Sequence, residues 1–369
     1  MTIAAALASR PGDFRPGEEW LDTAGVPINA HGGGILSHEG IFYWYGEHKI
    51  AGSAGNSAHV GVHVYRSVDL VAWEDAGIAL AVSAEATHDL AAGCIIERPK
   101  VVFNAATGLF VMWFHWEPKG RGYSGSRSGV AVADTPTGPF HFLRTVRPNA
   151  GHWPENAPAE QCRILDPAEE TALAALTLPG GPLPYYPKHL LFRRDFSIGQ
   201  MARDMTVFVD DDGIAYHVYA SEANGTLHIA ELSADYIDHS GRFVRIFPGR
   251  FHEAPALFKH RGRYFLITSD CTGWAPNAAR VSVAESIWGP WEELGNPCIG
   301  MGAQISVTFG AQPTFVLPLP GRPDAFIFLA DRWCPGNAID GRYVWLPIEF
   351  HHGIPMFAWH EQWHLSRFA

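Results

Sequence analysis

The 369-residue sequence has few cysteines, no long apolar run and no run of positive charge. Its five cysteines are scattered, odd in number and without a C-x-x-C pair, which argues against a disulfide framework or a cysteine zinc site. No segment reaches 18 apolar residues, so no membrane-spanning helix is predicted. The net charge of −11 does not provide the positive field that nucleic acids or anionic membranes require. We therefore expect a neutral partner, and neither a nucleic acid nor a membrane.

The first residues, MTIAAALASRPGDF, lack the basic region and the apolar stretch of a secretory signal. The expected location is therefore the cytoplasm, unless a leader has been removed. An acidic run at residues 210–213 suggests calcium by composition, but it lacks the twelve-residue loop with its closing Glu and is better interpreted as a tight turn. The sequence predicts no metal and no cofactor.

Short aromatic or alternating runs recur through the chain and predict β-strands. Each run follows a turn with Gly or Asp-Gly, and another apolar run precedes the turn, so five hairpins are predicted. The five runs are IFYWYG from Ile41, LFVMWFHW from Leu109, IAYHVYA from Ile214, RYFLITS from Arg263 and AFIFLAD from Ala325. Helical periodicity is almost absent, and five similar all-β units arranged radially make a propeller. The predicted fold is a single all-β, five-bladed β-propeller domain over residues 1–369, with a β-sandwich as the alternative.

The regular spacing is interrupted once, between residues 149 and 198, by a segment rich in Pro, Gly and polar residues. Within it, Asp166 is placed to cap a short helix that begins at Pro167, and Glu169 to complete a capping box. We interpret the segment as an insertion over one face of the propeller. Long loops of this kind form lids or substrate walls, or are passive decoration.

One polar position recurs in the strand before each of the five turns, four residues ahead of an apolar residue. The innermost strands of a propeller surround a central axis, so equivalent positions on each blade come together. Those positions hold His31, Glu97, Asp204, Glu253 and Gln312. Crowded carboxyls repel and raise at least one pKa, while a glycosidase needs one protonated and one ionised partner. We therefore predict a catalytic cluster at one end of the axis.

Around these residues the chain resembles glycoside hydrolase family 43, and most closely its exo-β-1,3-galactanase branch. The shared motifs include NAHGGGI, ERPKVVFN, ARDMTVFVDDDG, EAPALF, TSDCTGWAPN and FGAQPTFV, in an order that extends from about residue 29 to residue 350. The resemblance implies a five-bladed propeller that hydrolyses oligosaccharides or polysaccharides by single displacement with inversion. It also implies that Glu253 is the general acid and that Asp204 tunes the pKa and orientation of Glu253.

The resemblance identifies the catalytic base less directly than the acid. Ordinary members of the family carry an Asp base at the head of the first blade, where this chain has Asn-Ala-His-Gly-Gly-Gly with His31. The galactanase branch shares the departure, and the resemblance implies Gln312 as base, in an imidic acid tautomer, with Glu97 holding sugar hydroxyls. Glu97 is the chemically simpler base, and His31 is a third candidate.

Further substrate contacts are predicted where loops follow blade strands, at Tyr45, Glu47, Trp274 and Trp333. These residues are placed to stack on or bond to a terminal sugar, although core packing explains the two tryptophans equally well. The leading function is release of galactose from β-1,3-galactan. The alternatives are an arabinofuranosidase, galactofuranosidase or xylosidase of the same family, and a sugar-binding propeller without catalysis.

Overall fold

The computed structural model describes residues 13–176 and 189–368, which form six β-sheets. The first sheet contains β1 (His31–His38), β2 (Ile41–His48), β3 (Gly61–Ser67) and β4 (Glu74–Ala81). The second contains β5 (Ile95–Asn104), β6 (Leu109–Glu117), β7 (Arg127–Ala133) and β8 (His141–Val146). The third contains β9 (Met205–Val209), β10 (Ala215–Ser221), β11 (Thr226–Leu232) and β12 (His239–Ile246). All four-stranded sheets are antiparallel meanders in chain order.

The remaining sheets come from the C-terminal part of the chain. The fourth contains β13 (His252–His260), β14 (Arg263–Asp270), β15 (Arg280–Ala284) and β16 (Glu292–Gly295). The fifth contains β18 (Gln312–Pro318), β19 (Phe326–Arg332) and β20 (Arg342–Pro347). The sixth contains β17 (Cys298–Ile299), β21 (Glu349–His351) and β22 (Ile354–Ala358). Short 3-10 helices lie at Ser53–Asn56, Ala159–Gln161, Ala303–Gly310, Ala338–Asp340 and Leu365–Phe368.

The all-β prediction and the five predicted hairpins are confirmed, but the prediction of five blades is wrong. The structure has six sheets and is six-bladed by that count. In the sixth sheet, β22 pairs in parallel with β17 and antiparallel with β21. These strands are too short to show an alternating pattern, and the whole fifth sheet separates β17 from its partner along the chain. The hairpin pattern in the sequence therefore did not include them.

The leading strands of the first five sheets lie beside one another in a closed ring. β1 contacts β5, β5 contacts β9, β9 contacts β13, β13 contacts β18, and β18 contacts β1. The sixth sheet packs outside this ring, where β22 contacts β20. The ring places the first residues of five strands around one end of a common axis, which is the geometry that the recurring polar position requires.

Aromatic side chains fill the space between the first and fifth sheets. Trp44 packs against Trp345 at 4.7 Å between ring centroids, and the two ends of the described chain join the same cluster through Phe14 stacked on Trp363 at 4.2 Å. All four side chains are buried. Burial of large apolar surface is the main favourable contribution to folding, so these aromatics stabilise the closure of the ring.

The segment 149–198 contains two short helices, α1 (Pro167–Leu176) and α2 (His189–Arg194), and residues 177–188 lie outside the described part. The predicted capping box is confirmed: the N–H groups of Ala168 and Glu169 donate to Asp166 Oδ1, and the Asp166 N–H donates to Glu169 Oε2. Among the described residues, no helix has the length and apolarity needed to cross a membrane. The cytoplasmic location and the single-domain division stay predictions.

Candidate active site

A cavity of about 220 Å³ lies at the end of the axis where the inner strands begin. Its wall comes from the heads of these strands and from the loops between their neighbours. The lining residues are Glu47, Lys49, Glu97, Arg98, His115, Tyr123, Arg203, Asp204, Asn224, Glu253, Gly273, Trp274, Gln312 and Trp333. Seven of the nine sequence-predicted site residues are among them.

Local backbone irregularity aims the strand heads into this cavity. The pairing register shifts directly after Glu97 and Glu253, and a residue with positive φ follows each: Arg98 at 57° and Ala254 at 51°. Gly32, which follows His31, also has a positive φ, at 62°. A bulge re-aims the side chains next to it, and strained φ values persist where the surroundings fix them. Glu97 and Glu253 share this bulge and both line the cavity, whereas His31 shares it and does not.

Glu253 is the carboxyl whose environment disfavours charge. Burial, followed by the negative charge of Asp204, raises the pKa of Glu253 to about 8. One of its oxygens, Oε1, accepts a hydrogen bond of 2.6 Å from the Asn224 amide. A carboxyl with such a pKa holds its proton at neutral pH, which is the state a general acid needs.

Arg98 connects three of the five strand heads. Its Nη2 donates to Asp204 Oδ2 at 2.9 Å and to Gln312 Oε1 at 2.6 Å, and its Nη1 donates to the Pro313 carbonyl at 3.1 Å. The guanidinium also lies 5.2 Å from the centre of the Trp333 ring. Arg98 therefore balances the charge of Asp204 while fixing the amide of Gln312.

Gln312 has a fixed amide orientation. Its oxygen also accepts from Trp333 Nε1 at 2.8 Å, and its Nε2 donates to Ser269 Oγ at 3.0 Å. If the amide oxygen and nitrogen were exchanged, the NH₂ group would face two hydrogen-bond donors, Arg98 and Trp333. The amide nitrogen has two hydrogens, so a second one is available beyond the bond to Ser269.

Glu97 is the carboxyl whose environment favours charge. His115 Nδ1 lies 3.1 Å from Glu97 Oε2 and His115 Nε2 lies 3.0 Å from Glu117 Oε1, so a protonated ring donates to both carboxylates. Tyr123 donates to Glu97 Oε1 at 2.7 Å. Burial acts against ionisation, but the His115 bond prevails and lowers the pKa of Glu97 to about 2. Burial also opposes the charged imidazole, yet the two carboxylates raise the pKa of His115 to about 9.

A second polar pair and two indoles complete the wall. Lys49 Nζ lies 2.5 Å from Glu47 Oε2, and Glu47 Oε1 accepts the N–H of Arg98 at 3.0 Å. Trp274 is 41% exposed and meets Trp333 edge to face, with ring centroids 5.8 Å apart. An exposed indole beside polar groups is suited to stacking on a sugar face.

Two predicted residues do not line the cavity. Tyr45 is fully buried in the core between the first two sheets and donates to the Pro136 carbonyl at 2.5 Å. His31 stacks on Tyr343 with ring centroids 5.2 Å apart, and burial lowers its pKa to about 3. The structure therefore places Tyr45 and His31 behind the site, where neither is in direct reach of a substrate in the cavity.

Sequence reasoning did not select seven lining residues: Lys49, Arg98, His115, Tyr123, Arg203, Asn224 and Gly273. The signal for Arg98 is its place inside ERPK, directly after the strand-head acid Glu97. His115 was inside the recognised run LFVMWFHW, where it is the polar residue among apolar neighbours. The other five lie at strand ends or in loops without a repeating pattern.

Within the described residues, one group of three side chains has atoms close enough for a metal ion. Atoms of Glu97, His115 and Asp204 lie within 4.8 Å of one another. However, both ring nitrogens of His115 contact carboxylates, and Asp204 is paired with Arg98. A protonated imidazole has no lone pair for a metal. We assign no metal ligand here, because these three side chains do not fit a metal ion while His115 is protonated and Asp204 is paired with Arg98.

Comparison with known proteins gives consistent results. A family model described as glycosyl hydrolases family 43 matches residues 183–344. A solved family-43 β-1,3-galactosidase with galactodeoxynojirimycin is 48% identical, with 95% of this chain and 100% of that chain covered and a TM-score of 0.89. An exo-β-1,3-galactanase from Phanerochaete chrysosporium with β-1,3-galactotriose is 30% identical, with 96% and 68% covered and a TM-score of 0.75. A curated β-D-galactofuranosidase from Aspergillus niger is 27% identical over 146 residues, which span 39% of this chain and 41% of that protein.

Proposed function

The chain belongs to glycoside hydrolase family 43 and is a glycosidase, and we propose that it releases galactose from the ends of β-1,3-linked galactan with inversion. The observation that carries the proposal is the pairing of opposite carboxyl states in one cavity. Glu253, with its pKa raised to about 8, is protonated at neutral pH, while Glu97, with its pKa lowered to about 2, is ionised. The protonated carboxyl can donate its proton to the glycosidic oxygen, and the ionised carboxylate can accept hydrogen bonds from the hydroxyls of a bound sugar.

The proposed acid step uses Glu253. Its proton passes to the glycosidic oxygen as the bond from that oxygen to the anomeric carbon breaks, so the departing sugar leaves with a hydroxyl. Burial, and after it the negative charge of Asp204, keep the pKa of Glu253 raised, and Arg98 holds Asp204 at 2.9 Å. Asn224 fixes the direction of the acid through its 2.6 Å hydrogen bond.

The proposed water position is beside Gln312. As an imidic acid, Gln312 would carry a lone pair on Nε2 that takes a proton from the attacking water while the water oxygen bonds to the anomeric carbon from the opposite face, and loss of the hydroxyl proton from Oε1 would then restore the amide. Deprotonation by an imidic acid tautomer would place a hydroxyl where Arg98 and Trp333 now donate, so one of those contacts would have to break. Glu97 is a weak base because its pKa is about 2. Gln312 therefore remains our candidate for activating water, and Glu97 for accepting sugar hydroxyls.

The cavity size supports an exo mode of action. Pockets for drug-sized ligands measure about 300–1,000 Å³, whereas this cavity has about 220 Å³ and suits one sugar unit. Each oxygen of Glu97 retains a lone pair beyond the bonds from Tyr123 and His115, so both can accept sugar hydroxyls. The two solved relatives described above are a β-1,3-galactosidase and an exo-β-1,3-galactanase, which favours a terminal galactose.

The curated relative favours a second candidate, a galactofuranosidase. A panel of p-nitrophenyl glycosides together with β-1,3-galactobiose separates the two candidates and also includes arabinofuranosides and xylosides. We expect turnover of β-1,3-galactobiose, and proton NMR of early product should show α-galactose. Preference for galactofuranosides would replace the substrate assignment, and β-galactose appearing first would refute inversion.

A further inference from the structure

A strained turn presents Asn224 to the proposed acid. Between β10 and β11, three successive non-glycine residues have positive φ: Glu222 at 51°, Ala223 at 56° and Asn224 at 65°. L-residues rarely adopt this region, and such a run persists only where the surrounding structure enforces it. The turn therefore needs an anchor outside its own four residues.

The side chain of Glu222, which is 3% exposed, connects the turn to such an anchor. Arg245 on β12 donates to both of its oxygens, from Nε at 2.6 Å and from Nη2 at 2.8 Å. His228 Nε2 lies 3.0 Å from Glu222 Oε1. A bidentate Arg–carboxylate pair has a fixed geometry, so it holds the first residue of the turn in one place.

The same arginine is held from its other side by the segment 149–198. Its guanidinium lies over the ring of Phe192 on α2, 4.2 Å from the ring centre, and Phe192 is fully buried. The side chain of Asn156 pairs with the Arg245 backbone, accepting from its N–H at 3.0 Å and donating to its carbonyl at 2.7 Å. The inserted segment thus contacts both the backbone and the side chain of Arg245.

None of the 14 residues that line the cavity comes from the described part of 149–198. The segment therefore does not form a wall of this cavity there, although the chain continues directly from it to Arg203 and Asp204. Its contacts lead instead through Arg245 and Glu222 to Asn224, whose Nδ2 donates to Glu253 Oε1 at 2.6 Å.

We propose that the segment 149–198 orients the acid Glu253 from behind, with Arg245 and Glu222 as positioning residues for Asn224. This inference rests on the proposed role of Glu253 as the acid. The relevant chain of contacts is continuous: Phe192 to Arg245, Arg245 to Glu222, the turn to Asn224, and Asn224 to Glu253. The segment thereby acts on catalysis although none of its described residues lines the cavity.

The expected signature is a change in the titration of Glu253. The charged or titratable groups that act on it are Asp204, Arg98, Arg203 and Cys271, and Asn224 adds an N–H donor. An N–H that donates to a carboxylate stabilises the ionised form. Loss of this bond should therefore raise the pKa of Glu253 above about 8 and move the alkaline limb of the activity profile upward.

The experiment compares Glu222→Gln, Asn224→Ala and the double variant on β-1,3-galactobiose. Each single variant should lose on the order of tenfold in kcat, the scale of one hydrogen bond to a charged group, with a smaller loss on aryl galactosides with good leaving groups. The double variant should lose no more than Asn224→Ala alone, because both changes remove the same contact. Phe192→Leu tests the contact between the inserted segment and Arg245. It should move the alkaline limb of the activity profile upward, by a smaller amount than the other variants do.

The matched control is Asp195→Asn. Asp195 is also a buried carboxylate in the segment, paired with Arg147 at 2.7 Å and with Arg194 at 2.7 Å, but it lies outside this chain of contacts. The Asp195→Asn variant should have a lower Tm and an unchanged pKa of Glu253. If Glu222→Gln and Phe192→Leu lower Tm in the same way while the limb stays where it is in the wild type, the proposal is overturned.

A measurement without substrate separates this proposal from the proposed function. Carboxyl ¹³C NMR, with the Glu253 signal assigned from Glu253→Gln, reports the pKa directly in every variant. A shifted Glu253 titration in Glu222→Gln supports the positioning role even if no galactoside is hydrolysed. An unshifted titration alongside active wild-type enzyme refutes the positioning role alone.

Discussion

Glu97 and Glu253 hold equivalent positions in two strands of the ring but have opposite acid–base properties. Each lies at the head of an inner strand, each precedes a residue with positive φ, and each lines the same cavity. The pKa of Glu97 is lowered to about 2, whereas that of Glu253 is raised to about 8. Burial raises both values, so burial cannot account for the difference.

The difference comes from the side chains that surround each carboxyl. Beside Glu97, β6 supplies His115, whose charge is maintained by Glu117 behind it. Beside Glu253, β14 supplies Ser269 and Cys271 follows the end of that strand, and the charge with the largest effect on the pKa of Glu253 is the carboxylate of Asp204. Glu97 thus contacts a cation, whereas the pKa of Glu253 responds to a like charge. Two carboxyls at equivalent backbone positions acquire different roles because their neighbours differ.

The largest expected effect is from Glu253→Gln, which removes the proton donor while preserving shape. Activity on β-1,3-galactobiose should fall on the order of 10²–10⁴-fold. Aryl galactosides with good leaving groups should lose far less, since their departure needs little protonation. The comparison requires kcat/KM on both kinds of substrate, and equal losses would exclude Glu253 as the acid.

The next effect separates Gln312 from Glu97. Gln312→Ala should lower kcat by about 10²-fold with KM retained, because the water loses its partner. Glu97→Gln should mainly raise KM, since Glu97 contacts sugar hydroxyls in ground and transition states alike. Gln312→Glu is the control: a carboxylate beside Arg98 can act as a base without tautomerisation and should retain more turnover than Ala.

The opposite result would reassign the base. If Glu97→Gln abolishes turnover at unchanged KM while Gln312→Ala stays active, Glu97 activates the water. His31→Ala should cost less than either change, because burial and stacking on Tyr343 keep His31 behind the cavity. Thermal melting of each variant shows whether a loss of activity reflects unfolding.

The sequence predicted the strand heads because they recur. One polar residue per hairpin follows from the propeller's symmetry, and Glu97, Asp204, Glu253 and Gln312 all reach the cavity. Glu47 and Tyr45 show the limit of this reasoning. Both lie on the same face of β2, two residues apart, but only Glu47 is close enough to the strand end to line the cavity, whereas Tyr45 packs in the core.

Features that depend on contacts between sheets were not predictable from one hairpin at a time. Arg98 joins residues that lie 106 and 214 positions away along the chain. The pKa difference between the two glutamates depends on His115 and Asp204, which are paired with other groups. The sixth sheet depends on a two-residue strand. Periodicity locates strands but does not specify the partners of their polar ends.

A smaller effect is expected from Asp204→Asn. The negative charge of Asp204 is the second cause, after burial, of the raised pKa of Glu253, and Arg98 acts in the opposite direction. Removing that charge should lower the pKa of Glu253, so the acid loses its proton at a lower pH. The alkaline limb of kcat/KM should move below about 8, and activity at alkaline pH should fall about tenfold for each pH unit by which the limb moves. A limb that does not move would contradict the assigned role of Asp204.

The smallest effect is expected from His115→Gln, which removes the cation between two carboxylates. Without it the pKa of Glu97 should rise from about 2, and KM should increase by about fivefold, the size of one ordinary hydrogen bond. Stability provides a second readout with a defined sign. His115 has a folded-state pKa of about 9, above its unfolded value of about 6.5, so its contribution is present below pH 6.5 and is lost as pH rises through 9.

The difference in Tm between wild type and His115→Gln should therefore shrink as pH rises from about 6.5 to about 9. Taking the difference cancels the contribution of Glu253, which also loses stability over part of this range. Adding Glu117→Gln to the variant should restore part of the lost stability at neutral pH, because Glu117 is then no longer a buried charge without its cation. A difference in Tm that is constant with pH would show that His115 is neutral and would remove the electrostatic contrast between the two glutamates.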